Sequence, residues 1–190
     1  MIKQAIIPLA GLGTRLLPLT SVFAKELLPI NGKPGIEYIL DECIEAGINE
    51  VIFIISKKKL MIKKYFYNDK FYKNIIKHKK DPRIINEYKK ILKYKKMIKF
   101  VFQDKPLGTG DAVLKTKNLI TDKYFLMLLP DDLIAKHNCS KSMITVHKKF
   151  NASVMASMKV GKKKVSRWGI YDIKKKINTK NFEIKSVVEK

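Results

Sequence analysis

The sequence predicts an α/β fold, a mainly parallel sheet flanked by helices, on three observations. Short apolar segments of strand length alternate with segments of helical period. One of them, Glu50 to Ile55, is a continuous β-branched and aromatic run, as expected of a parallel strand buried on both faces. Several of these segments run directly into Gly- or Asp-containing loops, which places candidate ligand groups at one edge of the sheet. Taken in order, Lys3 to Pro8 reads as the first strand. Gly35 to Gly47 reads as a helix, with Ile36, Ile39, Leu40, Cys43 and Ile44 at helical spacing before a Gly stop. Glu50 to Ile55 is then a strand and Lys57 to Phe66 its return helix. Lys99 to Gln103 (strand), Gly110 to Lys117 (helix) and Tyr124 to Pro130 (strand) continue the alternation. Within the Lys-rich stretch 57–99, residues 68–96 read as helical excursions on the surface. After about residue 150 the pattern changes to short alternating segments, Ser153 to Val160, Trp168 to Ile173 and Phe182 to Val188. The last two are expected to pair across a Lys174 to Asn181 turn.

A chain of 190 residues is of single-domain length, and 46% hydrophobic residues exclude disorder as the whole answer. No apolar run reaches the roughly 20 residues that span a bilayer, and the N-terminus lacks a signal-peptide core, so the chain reads as cytoplasmic with no membrane partner. Cys43 and Cys139 lack metal spacing and read as small core hydrophobes. The net charge of +23 raises the nucleic-acid hypothesis, yet it is concentrated in residues 57–99 and 159–190 and only Arg15, Arg83 and Arg167 are arginines. A phosphate- or base-reading surface uses the bidentate guanidinium more often. A solvated basic surface is therefore expected, with no nucleic-acid partner.

Four local patterns bear on chemistry. Ala10-Gly11-Leu12-Gly13-Thr14-Arg15 follows the first strand, where glycines let backbone N–H groups approach an anion and Arg15 can pair with phosphate oxygens. It is neither a dinucleotide fingerprint nor a Walker A loop, and on its own it is equally a turn. Lys25, in Lys25-Glu26-Leu27-Leu28-Pro29, offers a second cation, or an ordinary surface lysine. Leu128-Leu129-Pro130-Asp131-Asp132 carries a strand into two carboxylates, suited to Mg²⁺ beside phosphates or simply to capping a turn. Gln103, followed by Pro106 to Ala112 with Gly108, offers an amide and free backbone groups that suit the edge of a base, or merely a loop.

Together, in this order and spacing, these patterns resemble the sugar-nucleotide pyrophosphorylases, most closely the bacterial UTP–glucose-1-phosphate uridylyltransferases. The resemblance also takes in Lys33-Pro34 with Ile36 and Tyr38, Glu45-Ala46-Gly47-Ile48, Trp168-Gly169-Ile170 and Val188-Glu189-Lys190. It implies a Rossmann-like fold of the nucleotide-diphospho-sugar transferase type and nucleotidyl transfer from UTP to glucose 1-phosphate, giving UDP-glucose and pyrophosphate. It also implies residue roles. The Ala10 to Arg15 loop (Ala10, Gly11, Gly13, Thr14) holds the nucleotide, Arg15 and Lys25 neutralise its phosphates, Gln103 and Gly108 recognise uracil, and Asp131 binds magnesium. Gly169, Glu189 and Lys190 match the sugar-phosphate side, Lys190 on the phosphates.

The sequence also departs from the family. Ser21 and Ala24 stand where the family's closest members have a lysine and a proline. Thr109 and Asp111 stand where many uridylyltransferases have Leu and His, a form shared with thymidylyltransferases, so dTTP is an alternative substrate. The resemblance further implies a following proline, more sheet strands, a second metal-binding aspartate and a helical part that often makes the dimer. The chain thus reads as C-terminally truncated and the fold as incomplete there. The rivals are an inactive fragment that still holds UTP and, last, a Lys-rich nucleic-acid binder.

Overall fold

In a computed structural model, residues 2–161, 165–166 and 168–188 are described. Four parallel strands form the main sheet in the order β5-β4-β1-β6: β1 (Gln4–Pro8), β4 (Glu50–Ile55), β5 (Ile98–Phe102) and β6 (Leu126–Met127). Between β1 and β4 lie three single 3₁₀ turns, a two-residue hairpin of β2 (Pro29–Ile30) and β3 (Lys33–Pro34), and helix α1 (Gly35–Glu45). Helices α2 (Leu60–Tyr67), α3 (Asp69–Lys79) and α4 (Pro82–Met97) join β4 to β5. Helix α5 (Gly108–Lys115) joins β5 to β6, and α6 (Cys139–Phe150) follows.

Burial explains why β4 reads as an unbroken apolar run: Val51 to Ile55 are fully buried, alternately facing two layers. Ile7, Phe53 and Ile55 pack with Ile36, Ile39 and Leu40 of α1, Ile62 and Phe66 of α2 and Tyr94 of α4. Ile6 and Ile54 face Ala112 of α5 on the other side. Asp81 caps α4, accepting from the Arg83 N–H at 2.8 Å with Pro82 in the first turn, which fixes where the helix starts. Burial, then the Glu42 charge, pushes the Cys43 thiol up to about 12, in keeping with a core role. No helix among the described residues is long and apolar enough to cross a membrane.

The chain divides into two compact units, Met1–Val154 and Met155–Lys190, where the sequence reads as one domain; the division falls close to residue 150, where its pattern changes. The second unit holds an antiparallel pair, β7 (Ile170–Lys176) and β8 (Phe182–Val188), closed by Ile177 to Asn181. The strand therefore runs three residues past Ile173.

Two expected strands are corrected, and one helix lies outside what the sequence predicts. Tyr124 to Pro130 contributes only Leu126–Met127 as strand, paired with β1 at Ala5 and Ile6. Ser153 to Val160 forms no strand, since no described strand supplies it a ladder. Helix α6 was not anticipated. It is capped by Asn138 and tied to α1 through Ser140, whose N–H and hydroxyl donate to the Glu42 carboxylate at 2.8 and 2.7 Å.

Candidate functional site

At the carboxyl ends of the strands the first unit forms a cleft of about 250 Å³, lined by Pro8, Ala10, Gly11, Lys25, Glu26, Gln103, Pro106, Gly108, Thr109, Ala112, Leu129, Pro130 and Asp131. The topology puts it there. Connections from β1 pass through β4 to β5 on one side, while β6 returns to the other side of β1, so the loops after β1 and β6 diverge and leave a crevice. Of the predicted nucleotide-site residues, Ala10, Gly11, Lys25, Gln103, Gly108 and Asp131 come together here.

Gly11 has nothing within 4 Å of where a Cβ would sit, so its backbone faces open space. Gly13 adopts φ +68°, and a Cβ there would meet the Thr20 methyl at 3.0 Å; Thr20 in turn donates its hydroxyl to the Gly13 carbonyl at 2.8 Å. The loop is thus a shaped turn, pinned from Thr20. Thr14 and Arg15 lie beyond it in a three-residue 3₁₀ turn (Thr14–Leu16), exposed and outside the cleft lining. One 3₁₀ turn has no macrodipole to speak of, so an anion placed here would have to be held by N–H groups and side-chain cations.

Lys25 and Asp131 form an ion pair, Nζ to Oδ2 2.9 Å. Partial burial works to raise the Asp131 carboxyl. The Lys25 hydrogen bond and charge, the residue's own backbone and the Arg15 charge outweigh it, holding the carboxyl below the usual range. Asp131 is therefore an anion, 56% of its side chain exposed, with Oδ1 outside the pair. That is a donor a hard cation accepts alongside phosphate oxygens. Among the described residues no group of three or more His, Cys, Asp or Glu converges as a metal cage.

On the opposite wall Gln103 directly follows β5. Its N–H donates to the Ile55 carbonyl at 2.9 Å, extending the β4–β5 ladder, and the residue is only 6% exposed. Its Nε2 donates to the Gly108 carbonyl at 3.1 Å and to Asp111 Oδ2 at 2.7 Å. Gly108 adopts φ +90° with open space at its Cβ position. As the first residue of α5 its N–H has no intrahelical partner.

Three residues that help build the cleft, Glu26, Lys59 and Asp111, have no role assigned by the sequence patterns. Beneath Lys25, Glu26 lies with its side chain 1% exposed and accepts from Lys59 Nζ at 2.7 and 2.9 Å. Burial lowers the Lys59 ammonium from its ordinary value, opposed by the Glu26 charge and hydrogen bond. Lys59 hid inside Lys57-Lys58-Lys59. Its signal was spacing, because Lys59, Ile62 and Phe66 fall on one face of a helical run. Asp111 was noted only as a departure, and its contact with Gln103 crosses a loop that no periodicity encodes. Of the sugar-side residues, Gly169 stands immediately before β7 in the second unit, and Glu189 and Lys190 lie outside the described residues.

The basic stretch is partly committed to structure. Lys57, Lys59, Lys90, Lys95 and Lys99 pair with Asp104, Glu26, Glu37, Asp69 and Glu50 respectively.

Residues 4–190 match the family described as nucleotidyl transferase. The chain belongs to that family. It is 35% identical over its whole length to UTP–glucose-1-phosphate uridylyltransferase 2 of Staphylococcus saprophyticus and 34% identical to the UTP–glucose-1-phosphate uridylyltransferase of Bacillus subtilis. It spans 65% and 64% of those proteins, less than two thirds of the length of these curated relatives. Among solved structures, its fold is similar to the UDP-glucose pyrophosphorylase of Acinetobacter baumannii, with TM-score 0.88 and 32% identity, covering all of this chain and 68% of that one. A UDP-glucose pyrophosphorylase complexed with UDP-glucose gives TM-score 0.80 at 32% identity, covering all of this chain and 69% of that one.

Proposed function

We propose that this nucleotidyl transferase moves a uridylyl group from UTP to glucose 1-phosphate, releasing pyrophosphate. The carrying observation is the convergence of Gly11, Lys25, Gln103, Gly108 and Asp131 on one cleft. Relatives named for this reaction, and neighbours whose structures hold UTP or UDP-glucose, support it.

The base suits the Gln103 wall. Uracil presents an N3–H donor beside carbonyl acceptors, and this wall offers the Gln103 carbonyl oxygen and the Gly108 N–H. Thymine carries the same edge, so dTTP fits this pair equally. The triphosphate would run past Gly11, whose bare backbone admits close approach, toward Lys25 and Arg15. Asp131 would hold magnesium together with the phosphates, and bound there the cation would neutralise charge as the α-phosphorus is attacked. An oxygen of glucose 1-phosphate forms the new bond to that phosphorus as the bond to the pyrophosphate oxygen breaks. The attacking oxygen is already ionised, so the protein supplies positioning and charge rather than a general base.

A pyrophosphate-release assay with UTP, glucose 1-phosphate and Mg²⁺ tests this, with titration calorimetry of UTP beside it. Turnover lost in Asp131→Asn is expected. Absence of both UTP binding and turnover would overturn the reading. Binding without turnover would make the chain a nucleotide holder and overturn the transfer step alone.

A further inference from the structure

Gln103 is an amide in a buried position, and an amide has two faces of opposite sense. One orientation presents a carbonyl acceptor to the cleft and the other an NH₂ donor. A pyrimidine with a protonated N3, as in uracil, needs the acceptor. Cytosine, whose N3 is a bare lone pair, needs the donor. Choosing between these bases therefore requires that something in the protein forbid the flip.

Asp111 supplies that constraint. The two groups in reach of the Gln103 nitrogen are the Gly108 carbonyl at 3.1 Å and the Asp111 carboxylate at 2.7 Å, and both are acceptors only. Turning the amide over would set its oxygen against a carboxylate and a carbonyl, leaving both without a donor. The contact to Asp111 is also the charge-assisted, stronger of the two. The other side of the amide is left for a ligand. Gln103 Oε1 has no hydrogen-bond donor among the described residues, yet it is not one of the sealed, unpartnered polar atoms, and the residue lines the cleft. Asp111 is itself held in the first turn of α5, with Lys115 one turn on at 3.9 Å from its carboxylate.

We propose that Asp111 is a positioning residue that locks the Gln103 amide with its carbonyl toward the base, and so selects nucleotides whose pyrimidine carries a proton on N3. This rests on the uridylyl-transfer reading of the cleft. It predicts discrimination against CTP and no choice between UTP and dTTP, which share that proton.

The test uses the full chain and the variants Asp111→Leu, which has no acceptor, and Asp111→Asn, which keeps one. Affinities for UTP and CTP are measured by calorimetry in magnesium buffer. The Gln103 side-chain NH₂ signals, identified by their loss in Gln103→Leu, are followed by ¹⁵N NMR without nucleotide. The expected result is that Asp111→Leu narrows the UTP-to-CTP ratio by about ten- to hundredfold, the effect of freeing a buried polar group to turn. It should also shift the amide proton that faces residue 111, while Asp111→Asn keeps most of the preference. A purely structural role would weaken both nucleotides alike and leave the ratio unmoved. A folded Asp111→Leu protein with an unaltered ratio and unaltered amide signals overturns the role given to Asp111 and leaves the uracil reading standing. A parent chain that does not prefer UTP to CTP, although its Gln103 protons are bonded, overturns the base assignment and the proposal together.

Discussion

Lys59→Met deletes one ammonium and keeps most of the side chain's volume. The two hydrogen bonds to Glu26, at 2.7 and 2.9 Å, disappear, and the Glu26 carboxylate stays where only 1% of its side chain meets solvent. Breaking a buried pair from one side costs about 3–5 kcal/mol, because the remaining charge is desolvated with nothing to offset it. For a chain of this size each kcal/mol is worth roughly 2–4 °C, so the melting temperature should fall by roughly 6–20 °C. Removing both charges, in Lys59→Met with Glu26→Leu, should recover most of that loss, since well-packed apolar replacements of a buried pair are often neutral. Urea and thermal unfolding followed by far-UV circular dichroism is the appropriate measurement. Tryptophan fluorescence is not, because Trp168 belongs to the second unit and is 48% exposed. A single variant that loses less than about 1 kcal/mol, the range of an exposed pair, would show that water reaches Glu26 and that the burial argument is wrong.

Asp131→Asn should abolish metal-dependent UTP binding with the fold intact by circular dichroism, while Asp132→Asn has the smaller effect; equal losses would put the metal ligand elsewhere. Arg15→Ala should weaken UTP by about 1.5–3 kcal/mol in calorimetry, the range for bonds to charged groups, and unchanged affinity would remove Arg15 from the phosphate side. Gly13→Ala should destabilise by about 1–2 kcal/mol in urea, since it forces a Cβ into the left-handed region and against Thr20, whereas Gly11→Ala should leave stability alone and weaken only nucleotide binding. The Lys95 hydrogen bond, against a smaller burial effect, holds the Asp69 carboxyl below its ordinary value. Its contribution to stability is therefore complete above the ordinary carboxylate pKa and lost as pH falls through the lowered one, so Asp69→Asn should flatten the fall in unfolding midpoint on the acid side of the ordinary carboxylate range.

The sheet was legible because its signals are local. Val51 to Ile55 are apolar at every position, and α1 carries Ile36, Ile39, Leu40 and Cys43 on one face. The cleft was legible because Gly11, Lys25, Gln103 and Asp131 each sit just after a strand or in a recurring motif. What escaped depends on distant partners. Glu26 and Lys59 are 33 positions apart and meet only when α2 folds onto the loop after β1. Asn138 looks like any loop asparagine until its side chain accepts from Lys141 N–H and starts α6. Ser153 to Val160 alternates like a strand, but alternation records only a preference, and a strand also needs a neighbour to complete its hydrogen bonds.

The two-residue pairing of β6 sets a limit on how tightly the cleft can close on a ligand. Gln103 hangs from a strand bonded along five residues, whereas Asp131 follows a strand paired at Leu126 and Met127, with one further bond from the Leu128 N–H to the Ile6 carbonyl. Its position past that point leans on Lys25, the group that a phosphate would compete for on the proposed reading. On the proposed reading, the wall bearing the carboxylate is the one whose ordering a bound nucleotide would complete. Measured affinity is the intrinsic affinity scaled by the fraction of molecules in which that wall is in place. On that reading, any contact that lengthens the pairing of β6 would tighten nucleotide and cation together without touching either.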